Sequence, residues 1–249
     1  MRTSKVPEVT LAFWLIKIAA TTLGETGGDA LSMTLRLGYA VSSSIFIAFL
    51  VVTAAAQIRA RRLHPLLYWA VIVATTTAGT TMADFADRSL GIGYVGGSLI
   101  LFALLIGVLG LWRYTMGTVS VDHIDSPGME AFYWATILFS NTLGTALGDF
   151  LADSGGLGFE GGALVFGAAL VLVAGGYYFT RVSRTLLFWS AFILTRPLGA
   201  TLGDLLTKPH AMGGLHLSRI GSSSWLALFM VACILLLPQR VPASRSVRE

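Results

Sequence analysis

Residues 13–29 read FWLIKIAATTLGETGGD, and the pattern returns three times: YWAVIVATTTAGTTMAD at 68–84, YWATILFSNTLGTALGD at 133–149 and FWSAFILTRPLGATLGD at 188–204. An aromatic residue precedes each of Trp14, Trp69, Trp134 and Trp189. Ten residues after each Trp stands a glycine (Gly24, Gly79, Gly144, Gly199), and fifteen after it an aspartate (Asp29, Asp84, Asp149, Asp204). A second glycine follows at twenty-four: Gly38, Gly93, Gly158 and Gly213. Four of the six Trp and four of the eight Asp in the chain fall in these columns, so the chain is four copies of one unit. Each unit reads as a helix carrying Trp, Gly and Asp, a short glycine-containing turn, and a second apolar helix.

Around this pattern the 249-residue chain is 55% apolar and only 12% charged, with a mean hydropathy of +0.74. Soluble domains carry about 25% charged residues. Residues 40–58, 98–111 and 163–180 hold no ionised side chain. Eight segments near the ~20 residues that a spanning helix needs fit the chain: 8–31, 39–58, 66–86, 94–116, 130–151, 159–180, 185–206 and 216–238. This composition excludes a soluble enzyme, a disulfide scaffold and a nucleic-acid reader. The pI of 9.5 needs no nucleic-acid partner, because basic loops at a lipid surface account for it. The single cysteine, Cys233, forms neither an intrachain disulfide nor a CxxC site. The first apolar segment reads as a span and not as a cleavable signal peptide.

Counting Lys and Arg sets the expected topology. The N-terminus, the links between repeats and the C-terminus hold Arg2, Lys5, Arg59, Arg61, Arg62, Arg113, Arg181, Arg184, Arg240, Arg245 and Arg248. The links inside repeats hold Arg36, Arg88, Lys208 and Arg219. The bias predicts both termini in the cytoplasm. The expected fold is therefore an all-α polytopic membrane bundle, one domain over 1–249, with eight transmembrane helices from four parallel-oriented two-helix repeats. The repeats run approximately 6–58, 63–116, 128–180 and 183–238, and 239–249 form a cytoplasmic tail. Repeats of this kind are related by rotation about the membrane normal, not by the in-plane axis of inverted-repeat transporters.

With FW-x9-G-x4-D in repeats one and four and YW-x9-G-x4-D in repeats two and three, residues 6–238 resemble a family of bacterial integral membrane proteins. That family is known as a repeat of unknown function, with four tandem two-helix units and one Trp in each. The resemblance implies family and topology, and a bacterial inner membrane as the location. It implies no activity, so function is read from the residues.

Positions seven, eleven and fifteen after each Trp share one helix face. They are Thr21, Glu25 and Asp29; Thr76, Thr80 and Asp84; Asn141, Thr145 and Asp149; Arg196, Ala200 and Asp204. Beside this polar stripe run small residues four apart, such as Gly24 and Gly28, which let helices approach closely in a membrane. The expectation is an inner group of four odd-numbered helices with their stripes facing one another, walled from lipid by the even ones. At 1.5 Å per residue each Asp lies about 22 Å beyond its Trp. With Trp near the inner interface, the carboxylates fall in the outer half of the core. The Trp and Gly columns read as packing elements, and the aspartates read either as caps and ion pairs at a wet helix end or as a functional site. Glu25 and Arg196 break the repeat, and in a closed ring their helices are neighbours, so the two side chains are expected to meet. Lys17 is expected to snorkel or to pair with a carboxylate.

These residues point first to a secondary transporter for a cation. Its expected pathway holds Glu25, Asp29, Thr80, Asp84, Asn141, Thr145, Asp149, Arg196 and Asp204. Glu25, Asp29, Asp84, Asp149 and Asp204 are the candidate metal ligands. Such oxygens suit hard ions, and nearby Met33, Met82 and Met212 admit Mn²⁺. Proton-coupled export of a divalent metal follows as the expected mode. No HExxH, GxSxG, P-loop or dinucleotide fingerprint is present, so neither an enzyme nor a resident cofactor is expected. The expected partners are the lipid bilayer, a small inorganic ion and, left open, a second copy of the chain. Two alternatives stay open: a membrane sensor or assembly subunit without transport, and an anion or organic-solute carrier using Arg196 and Lys17.

Overall fold

A computed structural model describes residues 5–121, 124 and 126–238, with nothing said of the Asp153 side chain. The expected tail at 239–249 lies outside the described residues, as do Arg2, His123, Arg240, Arg245 and Arg248. The described residues form eight long α-helices: α1 Leu11–Asp29, α2 Gly38–Arg59, α3 Pro65–Asp84, α4 Gly93–Met116, α5 Pro127–Asp149, α6 Gly158–Phe179, α7 Arg184–Thr207 and α8 Arg219–Leu236.

The ends of these helices follow from local chemistry. Side-chain oxygens of Thr10, Ser126 and Ser183 accept hydrogen bonds from Phe13, Met129 and Leu186 at the starts of α1, α5 and α7. Pro65 and Pro127 open α3 and α5, where their missing N–H costs nothing. After Asp29, Asp84 and Asp149 the chain widens into one π-helical turn, at Ala30–Thr34, Phe85–Ser89 and Phe150–Ser154. The second glycine of each repeat has a positive φ, from +65° at Gly158 to +83° at Gly213, a left-handed conformation disfavoured for residues with a Cβ. The turn that the repeat places at twenty-four is thus a conformational requirement. In repeats one to three it starts the next helix directly.

The odd helices form a closed ring in which α1 packs on α3, α3 on α5, α5 on α7 and α7 on α1. The even helices lie outside it. Each packs mainly on the inner helix of the following repeat: α2 on α3, α4 on α5, α6 on α7, and α8 returns to α1. Every repeat is therefore clamped by its predecessor, and α8 closes the ring. The outer helices present apolar side chains outward, among them Val52, Leu99, Leu164, Leu172 and Leu235, each at least 66% exposed. Six of the eight helices, all but α1 and α5, are long and apolar enough to cross a membrane. The polar stripes of α1 and α5 are buried within the ring.

The ring closes on glycines. A Cβ on Gly24 would lie 2.4 Å from Thr76 Cβ, one on Gly144 2.5 Å from Arg196 Cβ, and one on Gly199 2.5 Å from Thr21 Cβ. One on Gly79 would meet the Thr142 backbone at 3.0 Å. In each case position ten of one repeat faces position seven, or its neighbour, in the next. At position ten the inner helices thus approach more closely than a Cβ would allow.

Candidate functional site

The interior of the ring is built in layers along its axis. At the Trp end, the aromatic residue before each Trp packs on the Trp of an adjoining repeat. Ring centroids are 5.3 Å apart for Phe13 and Trp69, 5.5 Å for Tyr68 and Trp134, 6.2 Å for Tyr133 and Trp189, and 5.8 Å for Phe188 and Trp14. The Tyr68 and Tyr133 hydroxyls meet at 2.6 Å. Trp189 Nε1 donates to the Val119 carbonyl at 3.0 Å. The Trp column is thus a packing floor that fills this end of the ring.

Above it lies position three, with Lys17, Ile72, Ile137 and Phe192, all fully buried. Lys17 departs from expectation. Its Nζ neither snorkels nor has a carboxylate within ion-pairing distance among the described residues; it lies 4.1 Å from the Phe192 ring centroid and donates to Asn141 Oδ1 at 3.5 Å. The reason is geometric: the next carboxylate on α1, Glu25, is about two turns away and engaged by Arg196.

The next two layers interlock. Position seven holds Thr21, Thr76, Asn141 and Arg196. Thr21 donates to the Thr195 carbonyl at 3.1 Å, Thr76 to the Ala20 carbonyl at 3.2 Å, and Asn141 Nδ2 to Thr75 Oγ1 at 3.0 Å. Arg196 reaches from this layer into position eleven. There its Nη2 lies 3.1 Å from Glu25 Oε2 and 2.7 Å from Thr145 Oγ1, and it also contacts Thr80 Oγ1. One guanidinium thus binds one residue from each of the other three inner helices. The fourth member of the layer is Ala200, on the same helix as the arginine. Arg196 Nε and Nη1 are buried with no hydrogen-bond partner among the described residues.

The aspartates form the last layer, in two pairs. Arg88 bridges Asp84 Oδ1 at 3.0 Å and Asp149 Oδ2 at 3.1 Å. Lys208 bridges Asp29 Oδ2 and Asp204 Oδ1, each at 3.1 Å, and Arg219 lies 3.5 Å from Asp29. Burial opposes the charge on Lys208, but the Asp204 and Asp29 carboxylates outweigh it and hold the ammonium above the usual lysine range.

Of the expected metal ligands, Glu25, Asp29 and Asp204 bring carboxylate oxygens within 4.8 Å of one another, all three buried. Asp84 and Asp149 stand apart from this triad, tied to Arg88, so the five carboxylates do not form one cluster. Met212 is 55% exposed and supplies no thioether to the buried triad. Thr80, Asn141 and Thr145 all reach the interior, fully buried. Sequence reasoning missed Arg88, Lys208 and Arg219, counting them as loop charges. A signal existed, because Asp84 with Arg88 and Asp204 with Lys208 have the four-residue spacing of helical ion pairs.

A family model described as Repeat of Unknown Function (DUF347) matches residues 12–63, 67–118, 132–183 and 187–238, together most of the chain. Neither a curated protein nor a solved structure matches it.

Proposed function

The chain belongs to the DUF347 repeat family, and we propose that it is a multi-pass membrane transporter for a small cation, of the divalent class that includes Mn²⁺. One observation carries this reading: Glu25, Asp29 and Asp204 converge within 4.8 Å inside a bundle whose outside is apolar. A carboxylate within a membrane costs about 2.5–3.5 kcal/mol on insertion scales, and its natural use is in a substrate or ion pathway. Carboxylate and hydroxyl oxygens suit hard cations.

In this reading all eight helices span the bilayer. Helices α1 and α5 need not be apolar, because the outer helices shelter them. Both termini and the links between repeats lie in the cytoplasm of a bacterium, where the Lys and Arg excess belongs. The four repeats then enter the inner membrane in one direction. The cargo moves along the ring axis, with Asp84, Asp149, Thr80, Thr145 and Asn141 lining the route beside the triad. The aromatic floor is the inner barrier. With no nucleotide motif, an ion gradient drives the movement, and exchange against protons carried by the axial carboxylates gives export. No catalytic step is involved.

Purified protein in proteoliposomes, assayed for flux of Mn²⁺, Mg²⁺, Ca²⁺ and Na⁺, tests the reading. Mn²⁺ flux that is lost in Asp29→Asn and Asp204→Asn is expected; no flux of any cation overturns it. A second reading, an anion or organic-solute carrier, is favoured by Arg196 Nε and Nη1, which have no hydrogen-bond partner among the described residues, and by Lys17, which faces Asn141 and no carboxylate among them. The same vesicles loaded with small organic and inorganic anions decide between the two. If no solute moves, the buried ion pairs hold together a sensor or assembly subunit.

A further inference from the structure

The two halves of the aspartate layer are built alike but not from the same chemistry. Arg88 lies in the π-helical turn at Phe85–Ser89 that continues α3. Its planar guanidinium donates from Nη2 to Asp149 Oδ2 and lies 3.0 Å from Asp84 Oδ1. On the other half the bridging group is the Lys208 ammonium, a compact point charge. In this half a third carboxylate, Glu25, brings an oxygen within 4.8 Å of the pair. Asp29 Oδ1, in a side chain 1% exposed, accepts no hydrogen bond among the described residues, although Oδ2 faces both Lys208 and Arg219. The half that holds a lysine therefore has ligand capacity that the lysine does not use.

Lys208 also sits on a segment unlike its counterparts. A residue before proline is driven from the helical into the extended region. Pro209 accordingly ends α7 at Thr207 and sets Lys208 at φ −71° and ψ 154°. No π-helical turn follows Asp204. Residues 208–218 instead run as a strap, pinned by Leu215 N to Leu205 O at 2.7 Å, Leu217 N to Leu206 O at 2.8 Å and His216 N to Lys208 O at 2.9 Å. The strap ends at Arg219, the other cation on Asp29.

We propose that Lys208 is a tethered stand-in for the transported cation: its ammonium and the cargo occupy the Glu25–Asp29–Asp204 site in turn, and residues 208–218 are the outer gate. The inference rests on the cation-transport reading above. The exchange has a physical rationale. Buried carboxylates left without a counter-charge are strongly destabilised, so a carrier whose site emptied completely would resist returning without cargo. A lysine that swings in as the ion leaves removes that barrier, and one that swings out makes room for the next ion.

Full-length protein in detergent, titrated with MnCl₂ and followed by the electron paramagnetic resonance signal of free Mn²⁺, tests this directly. Lys208→Gln is expected to bind Mn²⁺ at least tenfold tighter than the unaltered chain. Lys208→Arg is expected to bind no tighter than it, and Asp29→Asn added to Lys208→Gln to abolish the gain. Equal affinity in the unaltered chain and Lys208→Gln overturns the inference while leaving the transport reading intact. No Mn²⁺ binding by either chain removes both. If Lys208→Gln does not purify as a folded protein, Thr207→Cys in a Cys233→Ser background serves instead. Thr207 is buried beside Lys208, and its alkylation by a water-soluble maleimide is expected to quicken at least threefold on adding MnCl₂. An unchanged rate overturns the gate.

Discussion

The Arg196 guanidinium lies 3.1 Å from the Glu25 carboxylate across 171 residues of sequence, one of the contacts that join repeat four to repeat one at the axis. Both side chains are buried, and both stand where the other repeats carry threonine, asparagine or alanine. The ring is thus symmetric in its packing and asymmetric in its charge. Removing one partner strands the other at a cost of about 3–5 kcal/mol, whereas replacing both is often neutral. Arg196→Ala and Glu25→Ala are each expected to lower the thermal midpoint sharply, and the double variant to recover it without regaining flux. A double variant no more stable than either single would show that the pair is not coupled; full flux by the double would remove it from the pathway.

The two aspartate pairs are expected to respond differently. Asp29→Asn takes a ligand from the triad and is expected to abolish Mn²⁺ flux with the protein still monodisperse. Asp149→Asn removes a buried partner of Arg88, but the guanidinium is 30% exposed to solvent and keeps Asp84 as its other carboxylate. A partial decrease in flux is expected there, with a stability change below about 1 kcal/mol. Equal loss of flux in both variants would mean that the cation uses the whole ring.

Glycine positions separate inner from outer helices. Gly144→Ala drives a Cβ to 2.5 Å from Arg196 Cβ, and overpacking of this kind costs about 1–3 kcal/mol. Gly107→Ala in α4 and Gly167→Ala in α6 meet nothing within 4 Å and are expected to be neutral or slightly stabilising. Thermal unfolding in detergent reads all three, and an undisturbed Gly144→Ala would contradict the close approach of α5 and α7.

At the aromatic floor, Tyr68→Phe leaves the Tyr133 hydroxyl buried without its 2.6 Å partner. An orphaned buried hydroxyl costs about 1–3 kcal/mol. The double change Tyr68→Phe with Tyr133→Phe is expected to restore most of the loss, since Phe13 and Phe188 already fill the same column in repeats one and four. Persistent destabilisation of the double variant would show that the hydroxyl pair does more than satisfy itself.

Much of this architecture is legible in the chain. Columns of Trp, Gly and Asp repeat at constant offsets, and a stripe at positions seven, eleven and fifteen lies on one face of any α-helix, so the repeat number, the inner helices and the inward polar face follow from helical periodicity alone. The meeting of Glu25 with Arg196 was legible for the same reason, given a closed ring. Pro209 and the four-residue spacing of Lys208 from Asp204 also carried local information about the strap and its ion pair.

Other features belong to the tertiary structure. Helices α2, α4, α6 and α8 are largely apolar, and even the polar residues that α2 buries (Ser42, Ser43, Thr53, Gln57) mark a face without naming the helix it meets; the observed choice, the next repeat, emerges only when the ring closes. The fate of long charged side chains is undetermined for a similar reason. Lys17, Arg88, Lys208 and Arg219 each reach several ångströms from their helix or turn, and periodicity fixes where a Cα sits but not which of several carboxylates a flexible side chain meets. Whether five acidic residues form one cluster or a triad and a pair was therefore decided by where the cations reach, and that depends on distances between helices that no single segment encodes.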